Sequence, residues 1–124
     1  MIFDKRKEGQ SMLYYICSPY RGATKEEVEK HIGYAKELAR TVLLHGFGAI
    51  APHLYMPNCL DDSNSEERKR GLEASLEILK KCDVVYVGQK FGISEGMAAE
   101  IKEAEKLGLS VFIFKKGHKR NGKK

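Results

Sequence analysis

Val84-Val85-Tyr86-Val87 is an unbroken apolar run that stops at Gly88, and a helix signal opens shortly afterwards at Ser94. The run reads as a strand and the stretch after it as a strand-to-helix turn. Ser94 is a good N-cap, and a helix N-terminus emerging from a strand-to-helix turn is a ready anion site. The helix carries one anomaly. At roughly 100° per residue, Met97, Ile101, Ala104 and Leu107 fall on one arc with Glu100 inside it, while Glu95, Lys102 and Lys106 lie on the far side. Burying an unpaired carboxylate is costly. Glu100 therefore either keeps its oxygens in water at the rim of the sheet or faces a pocket where it has a task. Its side chain tilts toward Gly96 and Met97, and Gly96 leaves room there for a ligand.

The rest of the chain alternates in the same way. Ser11 to Cys17 reads as a first strand, followed by the Pro- and Gly-punctuated loop Ser18-Pro19-Tyr20-Arg21-Gly22-Ala23. Thr24-Lys25-Glu26-Glu27 has the form of a capping box. The helix it opens shows an apolar face at Val28, Ile32, Ala35, Leu38, Ala39 and Val42, and ends near His45-Gly46. Gly48 to Ala51 is a short second strand stopped by Pro52, and residues 53–64 read as a loop. Ser65 or Ser63 caps a second helix whose apolar face is Leu72, Leu76 and Leu79. Asp83 to Gly88, Ser94 to Leu107 and Leu109 to Phe114 complete the pattern as strand, helix and strand. Strands alternating with helices through short loops predict an α/β, Rossmann-like (flavodoxin-like) parallel sheet of about four strands with helices on both faces.

Length and charge set the boundaries. A chain of 124 residues is enough for one domain with a sizeable core and too short for two. Of the 22 basic residues, Lys115, Lys116, Lys119, Arg120, Lys123 and Lys124 crowd the last ten positions, leaving 16 against 17 acids in the remainder. The net charge of +5 is thus a property of the tail. The chain divides into a charged N-terminal segment over 1–10, a domain over 11–114 and a basic tail over 115–124. A basic tail can bind polyanions, but it is more often a solvated terminus, and the near-neutral body adds no second basic patch. Nucleic acid is not an expected partner. No apolar run approaches a membrane span, and the start Asp4-Lys5-Arg6-Lys7-Glu8 is no signal peptide. Cys17, Cys59 and Cys82 are odd in number and lack metal-like spacing, which fits free thiols in a reducing, cytoplasmic setting.

In an open parallel sheet the ligand lies beyond the carboxyl ends of the strands. The first strand delivers Ser18, Tyr20 and Arg21 there, the second delivers His53 and Tyr55, and the third delivers Gln89 and Ser94, with Glu100 further along the helix. Arg21 beside a glycine and opposite a helix N-terminus suits a phosphate or carboxylate. Arg21 could equally pair with Glu26 or Glu27, and His53 could simply bond a backbone carbonyl. Asp61-Asp62 reads as a solvated turn without a third ligand for a metal. Neither GxxxxGK[ST] nor GxGxxG occurs, which argues against a P-loop and a dinucleotide.

Two stretches carry a resemblance. Tyr15-Ile16-Cys17-Ser18-Pro19-Tyr20-Arg21-Gly22 resembles the first-strand motif Y-F-C-G-S-I-R-G-G of the 2′-deoxynucleoside 5′-phosphate N-hydrolases, and Ser94-Glu95-Gly96-Met97-Ala98-Ala99-Glu100 is similar to their S-x-G-x-x-x-E. Both motifs belong to the nucleoside 2-deoxyribosyltransferase-like superfamily, and Glu100 to Gly108 continues in the manner of its transferases. The pieces SPYRG, APHL and ISEGMAAEI also resemble a branch of small bacterial and phage proteins of uncharacterised function. The likeness runs over residues 12–114.

That resemblance implies a nucleotide N-glycosidase or 2-deoxyribosyltransferase acting on a nucleoside or nucleotide, and a homodimer or higher homo-oligomer in which a neighbour helps complete the site. The residue matching Glu100 is the nucleophile on the anomeric carbon, the one matching Tyr15 stands beside it, and those matching Arg21 and Ser94 hold the 5′-phosphate. The candidate site is thus Glu100 and Tyr15 as catalytic residues, with Ser18, Tyr20, Arg21, Gly22, His53, Ser94, Gly96 and Met97 as substrate-binding residues, and no cofactor or metal. The alternative is a non-catalytic nucleotide-binding module on the same fold. One departure bears on the choice. Where the enzymes carry an Asp that serves the sugar and the leaving base, this chain has Ser75, so Asp62 or His53 would have to substitute.

Overall fold

The computed structural model describes residues 12–114; the charged segment over 1–10 and the basic tail over 115–124 lie outside them. The elements follow in the order β1 (Leu13–Cys17), α1 (Lys25–Leu44), β2 (Gly48–Ile50), a single 3-10 turn (Pro52–Leu54), α2 (Met56–Cys59), α3 (Ser65–Lys80), β3 (Val84–Gly88), α4 (Glu95–Lys106) and β4 (Ser110–Phe114). The strands form one sheet in the order β2-β1-β3-β4, and every pairing is parallel. This is the α/β architecture expected from the alternating pattern.

Side chains on successive strand residues point to opposite faces, and the two faces make two cores. Tyr14, Ile16, Val84 and Tyr86 pack with Tyr34, Leu38 and Val42 of α1. Tyr15, Cys17, Val85 and Val87 pack with Leu79 of α3 and with Met97 and Ala104 of α4. At the end of β3 the chain passes hard against α1: a Cβ added at Gly88 would come within 2.5 Å of Leu38 Cδ1 and 2.6 Å of the Tyr34 hydroxyl. Any side chain there would force Leu38 and Tyr34 to move.

The helix starts show where local reading succeeds and where it slips. Thr24 caps α1 by accepting from the Glu27 N–H at 3.1 Å, but the Glu27 carboxylate takes the N–H of Ala23 at 2.7 Å and so closes only a displaced version of the capping box. Asn64, not Ser63 or Ser65, caps α3 by accepting from the Glu67 N–H at 3.0 Å. Asn is as good a cap as Ser, and Ser63 is engaged elsewhere, donating to Asp61 at 2.6 Å. The span read as a loop over 53–64 contains α2, a one-turn helix with Pro57 in its first turn, where proline's fixed φ suits it. Leu72 lies on the expected apolar arc of α3 yet is 52% exposed, because no element covers that part of the helix.

Candidate active site

The sheet order puts β1 next to β3 while their following connections run to opposite edges, β1 toward β2 and β3 toward β4. Such a switch point leaves a crevice beyond the strand ends. A cavity of about 320 Å³ lies there, bordered by Tyr20, Arg21 and His53 from the loops after β1 and β2, by Arg68 and Ser75 of α3, and by Ser94, Gly96, Met97 and Glu100 of α4.

The turn into α4 is set by Gly92, whose φ of +89° is one that side-chain-bearing residues rarely adopt. Ser94 then caps the helix, its Oγ accepting from the Met97 N–H at 3.2 Å. A Cβ at Gly96 would meet only Ser94 Oγ, at 4.0 Å, so the cavity is open over the first turn. Met97 forms part of the buried floor.

Glu100 is on the inner arc of α4 as its phase requires, and only 9% of it is exposed. It lines the cavity rather than the watery rim of the sheet. The Tyr15 hydroxyl donates to Glu100 Oε2 at 2.7 Å, a length typical of a hydroxyl held by a carboxylate. Burial pushes the Glu100 pKa above the usual carboxylate range, and hydrogen bonds from Tyr15 and Cys17 pull it partly back. Burial, reinforced by the neighbouring carboxylate, drives both the Tyr15 hydroxyl and the Cys17 thiol far upward, so each stays a proton donor. The Cys17 thiol also lies 3.8 Å from the Met97 carbonyl oxygen. Ser75 stands behind this cluster, within hydrogen-bond reach of Tyr15 and with its hydroxyl 3.6 Å from Met56 Sδ.

The opposite wall is aromatic. The rings of Tyr20 and His53 stack with centroids 5.5 Å apart and planes 21° from parallel. Burial lowers the His53 pKa, which Asp62 and a backbone hydrogen bond with Ser18 only partly offset, so the ring is biased toward its neutral form. Arg21 meets neither Glu26 nor Glu27; its Nε lies 3.6 Å from Asp62 Oδ2, and Arg68 Nε lies 3.8 Å from the other oxygen of the same carboxylate.

The structure thus gathers Tyr20, Arg21, His53, Ser94, Gly96, Met97 and Glu100 around one cavity. Tyr15 is not part of the lining and meets it through Glu100 and Ser75. Ser18 is buried at the end of β1 and is not part of the lining, and Gly22 serves packing, since a Cβ there would meet Glu27 Cβ at 2.6 Å. Arg68 and Leu72 were not expected at the site. Their signal was helical phase, because Arg68, Gly71, Leu72 and Ser75 recur at spacings of three and four and all face the cavity. Among the described residues no cluster of His, Cys, Asp and Glu is arranged to hold a metal, and no helix is long and apolar enough to cross a membrane.

A four-stranded parallel sheet in the order β2-β1-β3-β4, covered by helices, matches the α/β fold of the nucleoside 2-deoxyribosyltransferases. The chain is similar to the solved structure of a 2-deoxyribosyltransferase from the psychrotolerant bacterium Bacillus psychrosaccharolyticus, with a TM-score of 0.60 and 24% identity over 82% of this chain and 71% of that one. No curated protein matches it. A family model described as a domain of unknown function, DUF7768, matches residues 12–114, and the chain belongs to that family.

Proposed function

We propose that this domain breaks the N-glycosidic bond of a nucleoside or deoxynucleoside 5′-monophosphate, as a hydrolase or a deoxyribosyltransferase, with Glu100 as the nucleophile. The observation that carries the reading is the buried Glu100–Tyr15 pair, 2.7 Å between oxygens, on the floor of a cavity lined by an arginine and a helix N-terminus. A fold that needed only stability would not keep a carboxylate there.

In the proposed reaction a Glu100 oxygen attacks C1′ from the face opposite the base. The C1′–N bond breaks through an oxocarbenium-like state, the base leaves with the bonding electrons and takes up a proton from solvent water, and a glycosyl ester forms. Water or a second base then attacks C1′ and returns the carboxylate. Tyr15 holds one Glu100 oxygen in place and favours its ionised form. Arg21 and the α4 N-terminus at Ser94 take the 5′-phosphate. Tyr20 and His53 offer a flat wall to the sugar or base. The same reading includes a homo-oligomer, which sedimentation would register, and a cytoplasmic setting.

Ser75 favours the second reading, a nucleotide-binding module without turnover, because a neutral hydroxyl cannot do the work of the Asp expected there to serve the sugar and the leaving base. A chromatographic screen of ribonucleoside and deoxynucleoside 5′-monophosphates for free base separates the two. The glycosidase reading expects base from at least one nucleotide. Binding of a monophosphate with no base from any would establish the module instead.

A further inference from the structure

Asp61-Asp62-Ser63-Asn64 joins α2 to α3, and most of its polar groups are consumed in making the connection. Asp61 Oδ1 accepts from the Ser63 N–H at 3.0 Å and from its hydroxyl at 2.6 Å. Asn64 caps α3, and the Asp61 N–H donates to Glu67 Oε1 at 2.7 Å. Asp62 is the exception, since none of these bonds uses its side chain. Its carboxylate stands at the cavity between two guanidiniums, 3.6 Å from Arg21 Nε through one oxygen and 3.8 Å from Arg68 Nε through the other. Both separations are too long for hydrogen bonds.

Three parts of the chain therefore converge on one spot: the β1–α1 loop with Arg21, the α2–α3 loop with Asp62 and the first turn of α3 with Arg68. All three side chains line the cavity that also holds Ser94 and Glu100. Two cations drawn to one half-exposed carboxylate form a weak arrangement, as exposed ion pairs are. A phosphate monoester presents nearly two negative charges and three acceptor oxygens, and guanidinium forks match it in two-point contacts. It would compete well against a single tethered carboxylate for the same pair.

We propose that Arg68 is the second jaw of a two-arginine clamp for the 5′-phosphate, and that Asp62 is the clamp's resident anion, displaced when the phosphate enters. The proposal rests on the nucleotide reading above and adds to it a specificity residue, Arg68, and a built-in competitor, Asp62. Before the phosphate enters, Asp62 keeps two like charges together. A neutral nucleoside gains nothing from displacing it, so the device selects for the phosphorylated substrate.

The test is equilibrium binding by calorimetry, with inorganic phosphate, deoxynucleoside 5′-monophosphates and the corresponding nucleosides as probes of wild type, R68A, D62N and the double variant. R68A should weaken phosphate and monophosphate binding by about tenfold and leave nucleoside binding unchanged. D62N should tighten both anions roughly two- to fivefold. In the double variant the R68A penalty should persist, because Arg68 contacts the phosphate itself. A penalty that vanishes once Asp62 is neutral would show that Arg68 acts only by screening Asp62, and would overturn the clamp. So would equal losses on nucleosides, tighter monophosphate binding absent from D62N, or no binding of either anion by wild type. Turnover does not enter these readouts. The full binding pattern without base release from any nucleotide would sink the glycosidase and leave the clamp standing, and base release without the pattern would do the reverse.

Discussion

Tyr14 and Tyr15 are neighbours in β1, identical in chemistry and both buried, yet they belong to different worlds. Tyr14 enters an aromatic cluster beneath α1, with the Phe47 ring at 5.1 Å and the Tyr86 ring edge-on at 6.5 Å. Tyr15 turns to the other face and donates to Glu100. The α1 face is a closed core whose loss would be felt as stability. The α3–α4 face is core along most of its length but turns polar at the carboxyl ends of the strands, where Glu100, Ser75 and the cavity lie. A parallel sheet can thus keep one face for packing and carry a buried polar cluster at the end of the other, with its strand pairing intact.

The variant with the largest expected effect breaks the α3–α4 face in function alone. Glu100→Gln should lower base release by at least about a thousandfold, the scale on which removal of a nucleophile acts, without loss of the fold. Its stability has a definite sign. Because burial holds the Glu100 pKa above its ordinary value, the fold favours the protonated acid. That stabilisation is complete below the unfolded-state pKa and is lost as pH rises through the folded one. Gln carries no charge at any pH and so escapes whatever cost burial places on the ionised carboxylate. Thermal melts should therefore place Glu100→Gln at or above wild type at neutral pH, with the gap closing on acidification. A clear loss of stability at neutral pH would mean that the carboxylate is structural.

The opposite outcome is expected across the sheet. Leu38→Ala, in the closed core under α1, should cost about 2–5 kcal/mol in denaturant unfolding, while the folded fraction keeps its KM. A changed KM would show that the two faces are not independent.

Arg21→Ala sharpens the description of the polar end. Efficiency on monophosphates should fall about ten- to a hundredfold, since a charge-assisted hydrogen bond is worth about 1.5–3 kcal/mol, with little change on nucleosides. Parallel losses on both substrates would reduce Arg21 to a structural role. Tyr15→Phe should have the smallest effect, about tenfold at neutral pH. It removes a donor that lowers the Glu100 pKa, so the acid limb of the pH–rate profile should move to higher pH. Tyr14→Phe should leave that limb where it is.

Much of this was legible in the residues themselves. The run Val84–Val87 announced a strand, Thr24 and Ser94 announced helix starts, and the phase of Glu100 placed a carboxylate on a core-facing arc; each is a matter of spacing along one element. What escaped was set by distance in three dimensions. Asp62 meets Arg21 and Arg68 through a loop whose path depends on how α2 and α3 pack, so no local pattern pairs them. Leu72 followed the apolar arc of α3, but periodicity cannot say where a helix runs past its neighbours into open cavity. Residues 56–59 looked like loop because one turn around Pro57 carries too little periodicity to register as a helix.

In the proposed reaction Glu100 bonds covalently to the anomeric carbon. Intact-protein and peptide mass spectrometry on wild type quenched with acid during turnover of a reactive nucleoside 5′-monophosphate tests it most directly. The account predicts that the peptide bearing Glu100 gains the mass of the sugar phosphate left after loss of the base, and that the adduct is absent from Glu100→Gln. An adduct on another residue, or base release by Glu100→Gln at the wild-type rate, would contradict it.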